Sequence, residues 1–397
     1  MLCEKEKCTG CEACFNSCYQ NAITMSQDEE GFYYPIIDNN KCNKCGVCTK
    51  VCPELNNYKY NDINKLKVYV GVNKEKGILD KSASGGVFSA FASKVILENG
   101  VVYGAAFGRD FSVEHTKAEN MKELDALRNS KYVQSRIGFT YREIRRELMK
   151  GKIVLFVGTP CQVIGLKSFL KKDYHNLITI DLVCHGVPSP KFFEEYLLSQ
   201  ESKYNAKVDR INFRSKKNGW EQLTVKINLD NGRTIYRKAE FDPYMKAFTR
   251  RFSVRESCFT CNASRLPRVS DITISDFWGI NVKKAEELNK SEGISLLLVN
   301  SVKGSEFTES IKSMLNIYDR ILDDAIKENE TIKGNMPKPE MKDKFRNDYI
   351  ENGYEYVTKK YLKTLKKDYL INIIGKNNIK KVGVIRKNIK DMYKRNE

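Results

Sequence analysis

The stretch CTGCEACFNSC, residues 8–18, and the stretch CNKCGVCTKVCP, residues 42–53, decide how the N-terminal part of the chain folds. Each carries four cysteines at the spacing C-x2-C-x2-C-x3-C. A loop of this kind supplies three ligands to one cubane cluster and sends its fourth cysteine to a neighbouring cluster. The spacing therefore predicts two [4Fe–4S] clusters with interleaved ligands. The first is held by Cys8, Cys11, Cys14 and Cys52, and the second by Cys42, Cys45, Cys48 and Cys18.

A zinc site and disulfides are the alternatives for these eight cysteines. Structural zinc usually binds two separated pairs of ligands and does not require two triplets, each with an outlying fourth residue. Disulfides are rare in a reducing cytosol, where we expect this chain because its thirteen cysteines follow no secretion signal. The one departure from the pattern is Tyr19, which follows Cys18 where Pro53 follows Cys52. We interpret residues 1–60 as an α+β, ferredoxin-like module with two clusters.

The positive charge of the chain is unevenly distributed. The formal net charge is +18, which by itself would suit a nucleic-acid partner. From residue 359 to the end, however, thirteen Lys and Arg residues stand against three acidic residues. Because so much of the excess lies in this short tail, we expect no nucleic-acid partner.

The basic tail also has a helical pattern of apolar residues at Val382, Ile385, Ile389 and Met392. Two interpretations remain open for it. One is a basic amphipathic helix that contacts an anionic membrane surface or an acidic partner. The other is a solvated terminal helix packed lightly on the body of the protein.

The rest of the chain divides into a linker, a domain in two parts and a C-terminal region, which differ in their composition and in their predicted helices and strands. Residues 56–65 are polar and form a linker. After it we expect one domain in two parts, 66–150 and 151–300, followed by a mostly helical, basic region at 301–397. No window reaches the ~18 consecutive apolar residues of a membrane span, so we expect a soluble, cytoplasmic protein.

The centre of the chain alternates between strands and helices. Apolar strands at 153–157 and 177–183 are followed by helices at 161–171 and 190–198, which predicts a parallel sheet with right-handed crossovers. Further strands are predicted at 67–73, 101–107, 208–213, 222–229, 234–237, 271–275 and 294–300.

Four cysteines outside the module suggest a third metal centre, while Cys3 stands apart. Cys161 and Cys184 follow the two central strands, so both are expected at the carboxyl edge of the sheet, where α/β proteins bind ligands. Cys258 and Cys261 form a C-x2-C pair that could close the site from a loop. These four residues match the number that a third [4Fe–4S] cluster needs. The alternative is two buried structural thiols and a weak zinc or redox pair.

Ser84-Gly85-Gly86 precedes a predicted helix that begins at Val87. The backbone N–H groups and the positive end of the helix dipole could bind a phosphate there, although Ser-Gly-Gly is commonly only a turn. No G-x-G-x-x-G sequence follows an early strand, so the chain does not predict a standard Rossmann nicotinamide site.

Several motifs taken together give the chain a specific resemblance. It resembles the coenzyme F-420 hydrogenase/dehydrogenase beta-subunit family, in the form fused to an N-terminal two-cluster ferredoxin. The departures are Ser275, where the family usually has glycine, and Ser215, where an acid is common. The resemblance extends to about Gly279 and is carried, besides the cysteines, by Ser82–Gly86, Lys131–Ser135, Gly158–Val163, Asp181–Pro190 and Asp271–Gly279.

The resemblance implies a mixed α/β flavin-binding domain that holds FAD beside a [4Fe–4S] cluster. That cluster would be ligated by Cys161, Cys184, Cys258 and Cys261. The residues expected to bind FAD are the Ser-Gly-Gly loop and neighbouring segments, namely Ser82, Ser84, Gly85, Gly86, Lys131, Tyr132, Gln134, Ser135 and Thr159.

His185 follows a proposed cluster ligand directly. It could protonate the flavin or a substrate, which makes it the candidate catalytic residue, or it could donate a hydrogen bond to a cluster sulfur. Phe277 and Trp278 could form a wall of the flavin site or belong to the core.

The chemistry of these groups suggests a conversion between paired and single electrons. Flavins exchange electrons in pairs and clusters pass them singly. We therefore expect an oxidoreductase that links a one-electron carrier protein such as ferredoxin to a small-molecule redox substrate, with a deazaflavin as one possibility. The alternatives are a non-catalytic electron-transfer subunit of a larger complex and, more remotely, a cluster protein that binds nucleic acid.

Overall fold

The computed structural model describes residues 2–280, 288–327, 329–334 and 336–363. Its N-terminal module contains a hairpin of two antiparallel strands, β1 (Ile23–Gln27) and β2 (Tyr33–Ile37), in which Ile23 pairs with Ile37. Asp28 Oδ1 accepts the backbone N–H groups of Glu30 and Phe32 and so closes the turn between the strands. Two short helices, α1 (Ala13–Ser17) and α2 (Val47–Lys50), lie within the two cysteine runs.

An eight-stranded mixed sheet forms the centre of the molecule. Its order is β13-β3-β12-β11-β7-β6-β4-β5. The four inner strands β4, β6, β7 and β11 are parallel to one another, as the alternation of strands and helices predicts, and the flanking pairs are antiparallel. The strands are β3 (Lys67–Asn73), β4 (Val101–Phe107), β5 (Val113–Ala118), β6 (Val154–Val157), β7 (Leu177–Leu182), β11 (Ile272–Asp276), β12 (Ser295–Val299) and β13 (Leu315–Arg320).

Helices cover both faces of this sheet because its inner strands are apolar on both sides. On one face, Phe91 of α4 (Val87–Leu97) packs in a core with Leu155 and Val299. On the other face, α6 (Thr140–Met149) and α7 (Pro160–Leu170) pack on β4 and β6. Cys11 and Val51 of the N-terminal module join this second core, so the module rests directly on α6 and α7.

A three-stranded antiparallel sheet, in the order β10-β9-β8, forms the other large layer. It consists of β8 (Val208–Ser215), β9 (Thr224–Leu229) and β10 (Thr234–Lys238). Three helices pack on it around a core rich in aromatic side chains: α8 (Pro190–Tyr204), α9 (Pro243–Thr249) and α12 (Lys342–Tyr361). The remaining helices are α3 (Lys76–Asp80), α5 (Met121–Leu127), α10 (Val302–Ser310) and α11 (Leu322–Lys327).

Some predicted elements differ from the structure. The region after residue 300 is not only helical, since β13 pairs with the outer edge of β3 and ends the central sheet. Strand β5 was not predicted, although its alternation of polar and apolar residues is typical of an edge strand. Helix α8 ends at Tyr204 and is longer than predicted. The predicted amphipathic helix around Val382–Met392 lies outside the described residues. Within the described part of the chain, no helix is long and apolar enough to cross a membrane.

Candidate iron–sulfur and cofactor site

The predicted ligands of the first cluster surround one cavity. Cys8, Cys11, Cys14 and Cys52 all line it, and three of the four are buried. The loop can wrap this cavity because Gly10 and Glu12 both have positive φ angles, 67° and 59°. At Gly10 a Cβ atom would lie 2.7 Å from Gln134 Nε2 and 3.1 Å from Arg255 Nη1, and the positive φ angle also favours glycine there.

Cys3 does not stand apart, contrary to the sequence analysis. It lines the same cavity, where interactions with Cys52 and Cys8 raise the pKa of its thiol. The spacing of the cysteines carries no signal for this, because Cys3 precedes the first run of the motif. The cavity is therefore surrounded by five thiols, of which the motif predicts four as ligands.

The predicted ligands of the second cluster lie nearer the surface. Cys45 is exposed, and Cys18, Cys42 and Cys48 are half-buried. The backbone N–H of Ala22 donates to Cys18 Sγ at 3.3 Å.

In the described residues, no three His, Cys, Asp or Glu side chains are arranged to hold a metal ion. A cubane cluster places its ligand sulfurs around four irons, so its ligands stand wider apart than those of a single zinc ion.

The other four cysteines also surround one cavity, the second cysteine cavity, which is the predicted site of the third cluster. Cys161 lies in the first turn of α7 and Cys184 follows β7, and both lie at the carboxyl edge of the parallel strands, as predicted. Cys258 and Cys261 close the cavity from the loop after α9. Burial raises the pKa of all four thiols, that of Cys184 to about 11. Such buried thiols would need a metal to remain as thiolates at neutral pH.

Two polar groups contact sulfurs of this second cysteine cavity. Thr159 Oγ1 lies 3.2 Å from Cys161 Sγ, and the backbone N–H of Gly186 donates to Cys184 Sγ at 3.4 Å. Contacts of this kind stabilise thiolate charge and tune a bound cluster. Thr159, which was predicted to bind FAD, also lines a larger cavity beside these cysteines and therefore lies between the two cavities.

A larger cavity of about 580 Å³ opens beside the second cysteine cavity, at the carboxyl edge of the sheet. The two cavities share Cys184, His185, Gly186 and Val187 as wall residues. Burial lowers the pKa of His185. The imidazole is therefore held neutral between the two cavities, where either predicted role, proton transfer or a hydrogen bond to sulfur, is sterically feasible.

The Ser-Gly-Gly loop forms one wall of the large cavity. Ser82, Ser84 and Gly86 line it, and Gly86, at φ 75°, precedes the first turn of α4. Gly85 packs away from the cavity, where a Cβ atom would lie 2.5 Å from the carbonyl oxygen of Gly71. Lys216 Nζ fixes the loop by donating to the carbonyl oxygen of Ser84 at 3.0 Å.

The Lys131–Ser135 segment forms a second wall, with one exception. Lys131, Tyr132 and Ser135 line the cavity. Lys131 Nζ donates to the carbonyl oxygens of Ala126 and Arg128, and burial lowers its pKa to about 7. The position of Gln134 does not support its predicted contact with the cofactor. Its side chain turns toward the N-terminal module and accepts a hydrogen bond from Arg255.

A network of charged and aromatic residues, which the sequence did not predict, lies at this cavity. Arg214 Nη2 donates to Asp276 Oδ1 at 3.0 Å, and Trp220 Nε1 donates to the same oxygen at 2.9 Å. The indole of Trp278 stacks on Trp220 at 4.7 Å and lines the cavity. Phe277, by contrast, is buried in the core. Arg214 and Asp276 both lie in or beside quoted motifs, but the sequence does not indicate that they pair.

The cavity has the charge expected of a site for phosphate. Arg128, Lys131, Arg214 and Arg251 line it, against one acid, Asp276. The N-terminus of α4 adds free N–H groups to one wall. His115, a further missed residue, also lines the cavity. Its pKa is lowered to about 4 by burial, so it is neutral. The residues present therefore fit a flavin dinucleotide, whose pyrophosphate is anionic.

Family models match most of this architecture. Residues 151–321 match the model of the C-terminal part of the coenzyme F420 hydrogenase/dehydrogenase beta subunit. Residues 7–55 and 34–82 match models of the 4Fe-4S dicluster domain.

Three known proteins illustrate the relationship. The coenzyme F420-dependent sulfite reductase of Methanocaldococcus jannaschii is 23% identical over 308 residues, which is 77% of this chain and 46% of that protein. The ketoisovalerate oxidoreductase subunit VorC of Methanothermobacter marburgensis is 36% identical over 52 residues, 13% of this chain and 66% of that protein. A chain of the F420-reducing [NiFe] hydrogenase complex from Methanosarcina barkeri aligns with a TM-score of 0.46 at 15% identity, covering 76% of this chain and 91% of that one. The chain thus spans about half the length of the sulfite reductase that it matches.

The cysteine cavities and these matches define an iron–sulfur protein with a ferredoxin-type module ahead of an α/β domain that is similar to parts of redox enzymes. The prediction of two ferredoxin-type [4Fe–4S] clusters is confirmed by the dicluster matches. Residues 151–321 match the C-terminal domain of the coenzyme F420 hydrogenase/dehydrogenase beta subunit, which agrees with the resemblance that the motifs indicated.

Proposed function

We propose that this chain is an iron–sulfur flavoprotein that exchanges electrons between a one-electron carrier protein and a two-electron small-molecule substrate at FAD. The observation that carries the proposal is the contact between the cavities. Thr9 of the N-terminal module lines the second cysteine cavity, and that cavity shares a wall with the large cavity. Centres bound at these places would form a continuous route from the module to the flavin.

FAD, when bound, would supply hydride exchange with the substrate. The chain's own residues would have separate tasks. Arg128, Lys131 and Arg214 provide the cationic walls that suit phosphate groups, and the Trp278 indole provides an apolar face. His185 lies where it could hold or donate a proton beside the cluster that Cys161, Cys184, Cys258 and Cys261 would ligate.

The electron carrier is proposed to dock near the second cluster. Its cysteine loop is the more exposed of the two, and Cys45 is open to solvent. Residues 39–53 contain three lysines and no acidic residue. A basic surface of this kind favours an acidic protein such as a ferredoxin.

Anaerobic purification followed by iron and flavin analysis tests the cofactors. We expect about twelve irons and one FAD per chain. The double variant Cys258→Ser/Cys261→Ser should lose about four irons while it retains the spectrum of the two ferredoxin-type clusters. If the wild-type protein held only about eight irons, or no flavin, the proposal would be wrong.

Steady-state assays test the substrate. A deazaflavin is the first compound to assay, because the matched sulfite reductase is named for coenzyme F420. The alternative function is a non-catalytic electron-transfer subunit, which the match to about half of a longer enzyme favours. Reconstituted protein that reduces or oxidises a soluble hydride carrier alone supports the enzyme. Protein that does so only with a partner supports the alternative.

A further inference from the structure

The strongest unexplained feature outside the cavities is a buried arginine between the N-terminal module and the body. Arg255 is 0% exposed and is one of the largest fully buried side chains described. Arginine side chains carry a positive charge in proteins. A charge in such a place requires compensation, because the interior solvates ions poorly.

The protein itself supplies only neutral partners for this charge. Arg255 Nε donates to the carbonyl oxygen of Cys8 at 2.8 Å, Nη1 donates to Gln134 Oε1 at 3.1 Å, and Nη2 donates to the carbonyl oxygen of Tyr33 at 3.1 Å. The ring of Tyr34 lies 4.0 Å from the guanidinium. Among the described residues, no carboxylate approaches within ion-pair distance of it.

Several other buried cations in the described part of the chain are paired with acids. Arg214 pairs with Asp276, Arg268 with Asp181 at 3.5 Å and Lys342 with Glu30 at 3.0 Å. The fold therefore uses carboxylates to neutralise several of its buried cations. At Arg255 the compensating negative charge must come from a group that is not a side-chain carboxylate.

The position of Arg255 indicates which group that is. Its side chain binds the backbone of Cys8, a ligand of the first cluster, and packs against Gly10 in the same loop. Its own carbonyl oxygen accepts the N–H of Cys258, a proposed ligand of the third cluster, at 3.1 Å.

We infer that Arg255 is a shared counter-ion for the first and third clusters and raises the reduction potential of both. A cubane with four thiolate ligands is a net anion, and it becomes more negative when it is reduced. A fixed positive charge nearby stabilises the reduced form more than the oxidised form. Arg255 is thus a positioning residue for electron transfer between the module and the body. The effect on the third cluster rests on the proposed function. The effect on the first cluster rests only on the two-cluster ferredoxin module.

Two substitutions separate charge from shape. Arg255→Gln removes the charge and keeps a polar side chain, whereas Arg255→Lys keeps the charge and loses the planar fork. The matched control is Arg346→Gln, because Arg346 also binds the N-terminal module but is already neutralised by Glu30 at 2.7 Å. Each full-length protein is reconstituted anaerobically, its iron is counted, and its clusters are titrated by EPR at defined potentials.

We expect Arg255→Gln to shift the potentials of the first and third clusters to more negative values. Arg255→Lys should shift them less, and Arg346→Gln should leave them unchanged. The second cluster, recognised as the signal lost in Cys45→Ser, should be unaffected in every variant because its loop lies at the surface. If Arg255→Gln retained all its iron and its clusters had the same reduction potentials as in the wild type, the inference would be overturned.

Loss of iron also decides between the interpretations. If only the Gln variant fails to keep the first cluster, the charge is required and the inference holds. If Arg255→Lys loses the first cluster as Arg255→Gln does, or shifts the reduction potentials equally far, the shape of the arginine side chain matters and its charge does not. The inference is then wrong. Wild-type protein with about eight irons would remove the third cluster and that part of the proposed function. The potential of the first cluster would still decide the role of Arg255.

Discussion

At the scale of single residues, the motifs predicted which cysteines lie together far better than they predicted the walls of the large cavity. Cysteine spacing is set by the geometry of a cluster, so Cys8 and its partners meet around one cavity as expected. Gln134 and Tyr132 lie close together in one motif, yet they face different sites because their side chains leave the backbone in different directions. Arg214 and Asp276 are 62 residues apart, and no local pattern reveals such a pair.

Lys131 gives a prediction about pH. Burial lowers its pKa to about 7, below its ordinary value, so the lysine loses its charge as pH rises through neutrality. If it contacts the FAD phosphates, the affinity of the flavin-free protein for FAD should fall about tenfold from about pH 6 to about pH 9, which corresponds to ~1.4 kcal/mol. Fluorescence titration with FAD measures this. Lys131→Met should bind weakly and without that pH dependence, and an equal slope in both proteins would exclude the lysine as its source.

The lowered pKa of Lys131 also makes the stability of the flavin-free protein depend on pH, in the opposite direction to its affinity for FAD. A lysine whose pKa is lower in the folded state binds fewer protons there than in the unfolded chain. The cost of burying Lys131 is therefore fully present below about pH 7 and is relieved as the pH rises toward the ordinary lysine value. Affinity for FAD and stability without FAD should thus respond oppositely to pH.

At the scale of helices and strands, the sequence predicts the parallel centre of the sheet and fails at its edges. Strands such as β6 are short apolar runs between helices, and the right-handed crossover rule fixes their arrangement. The edge strands β5 and β13 carry polar residues on their open faces and resemble loops or helix surfaces in the sequence. Their place is decided by the neighbouring strand, a contact that local patterns do not contain.

Helix α7 provides a prediction about the junction between the module and the body. A Cβ atom at Gly165 would lie 2.9 Å from the Cβ of Cys11 and 3.0 Å from the hydroxyl of Tyr141. Gly165→Ala should therefore destabilise the protein by about 1–3 kcal/mol through overpacking, although alanine favours helix formation. Chemical denaturation measures the change.

The matched control is Gly77→Ala in α3, where the nearest atom to a new Cβ would be 3.8 Å away. This variant should be neutral or slightly more stable, because alanine is the better helix former. If the two variants behaved alike, the close approach of Cys11 to α7 would have no energetic consequence.

At the scale of the whole molecule, the module is fixed to the body on several sides. Glu30, beside the tip of its hairpin, pairs with Lys342 and Arg346 of α12, at 3.0 and 2.7 Å. Arg142 of α6 donates to the carbonyl oxygens of Asn16 and Cys18. The first-cluster cavity therefore faces inward while the second cluster's loop faces solvent, which orders the proposed route from the surface to the flavin.

This order predicts where an external carrier acts. Lys44 and Lys50 are exposed beside the cysteines of the second cluster. The double variant Lys44→Glu/Lys50→Glu should raise the KM for an acidic ferredoxin severalfold and leave kcat unchanged, because it weakens encounter without altering the internal route. Stopped-flow reduction at increasing salt measures the effect, and the difference from the wild type should shrink as ionic strength screens the charges. Lys76→Glu/Lys122→Glu, on α3 and α5, is the control, since it makes the same change in net charge at exposed positions outside the module. An equal loss in the control would mean that net charge steers the carrier, whereas a loss confined to Lys44→Glu/Lys50→Glu would identify the second cluster as its point of contact.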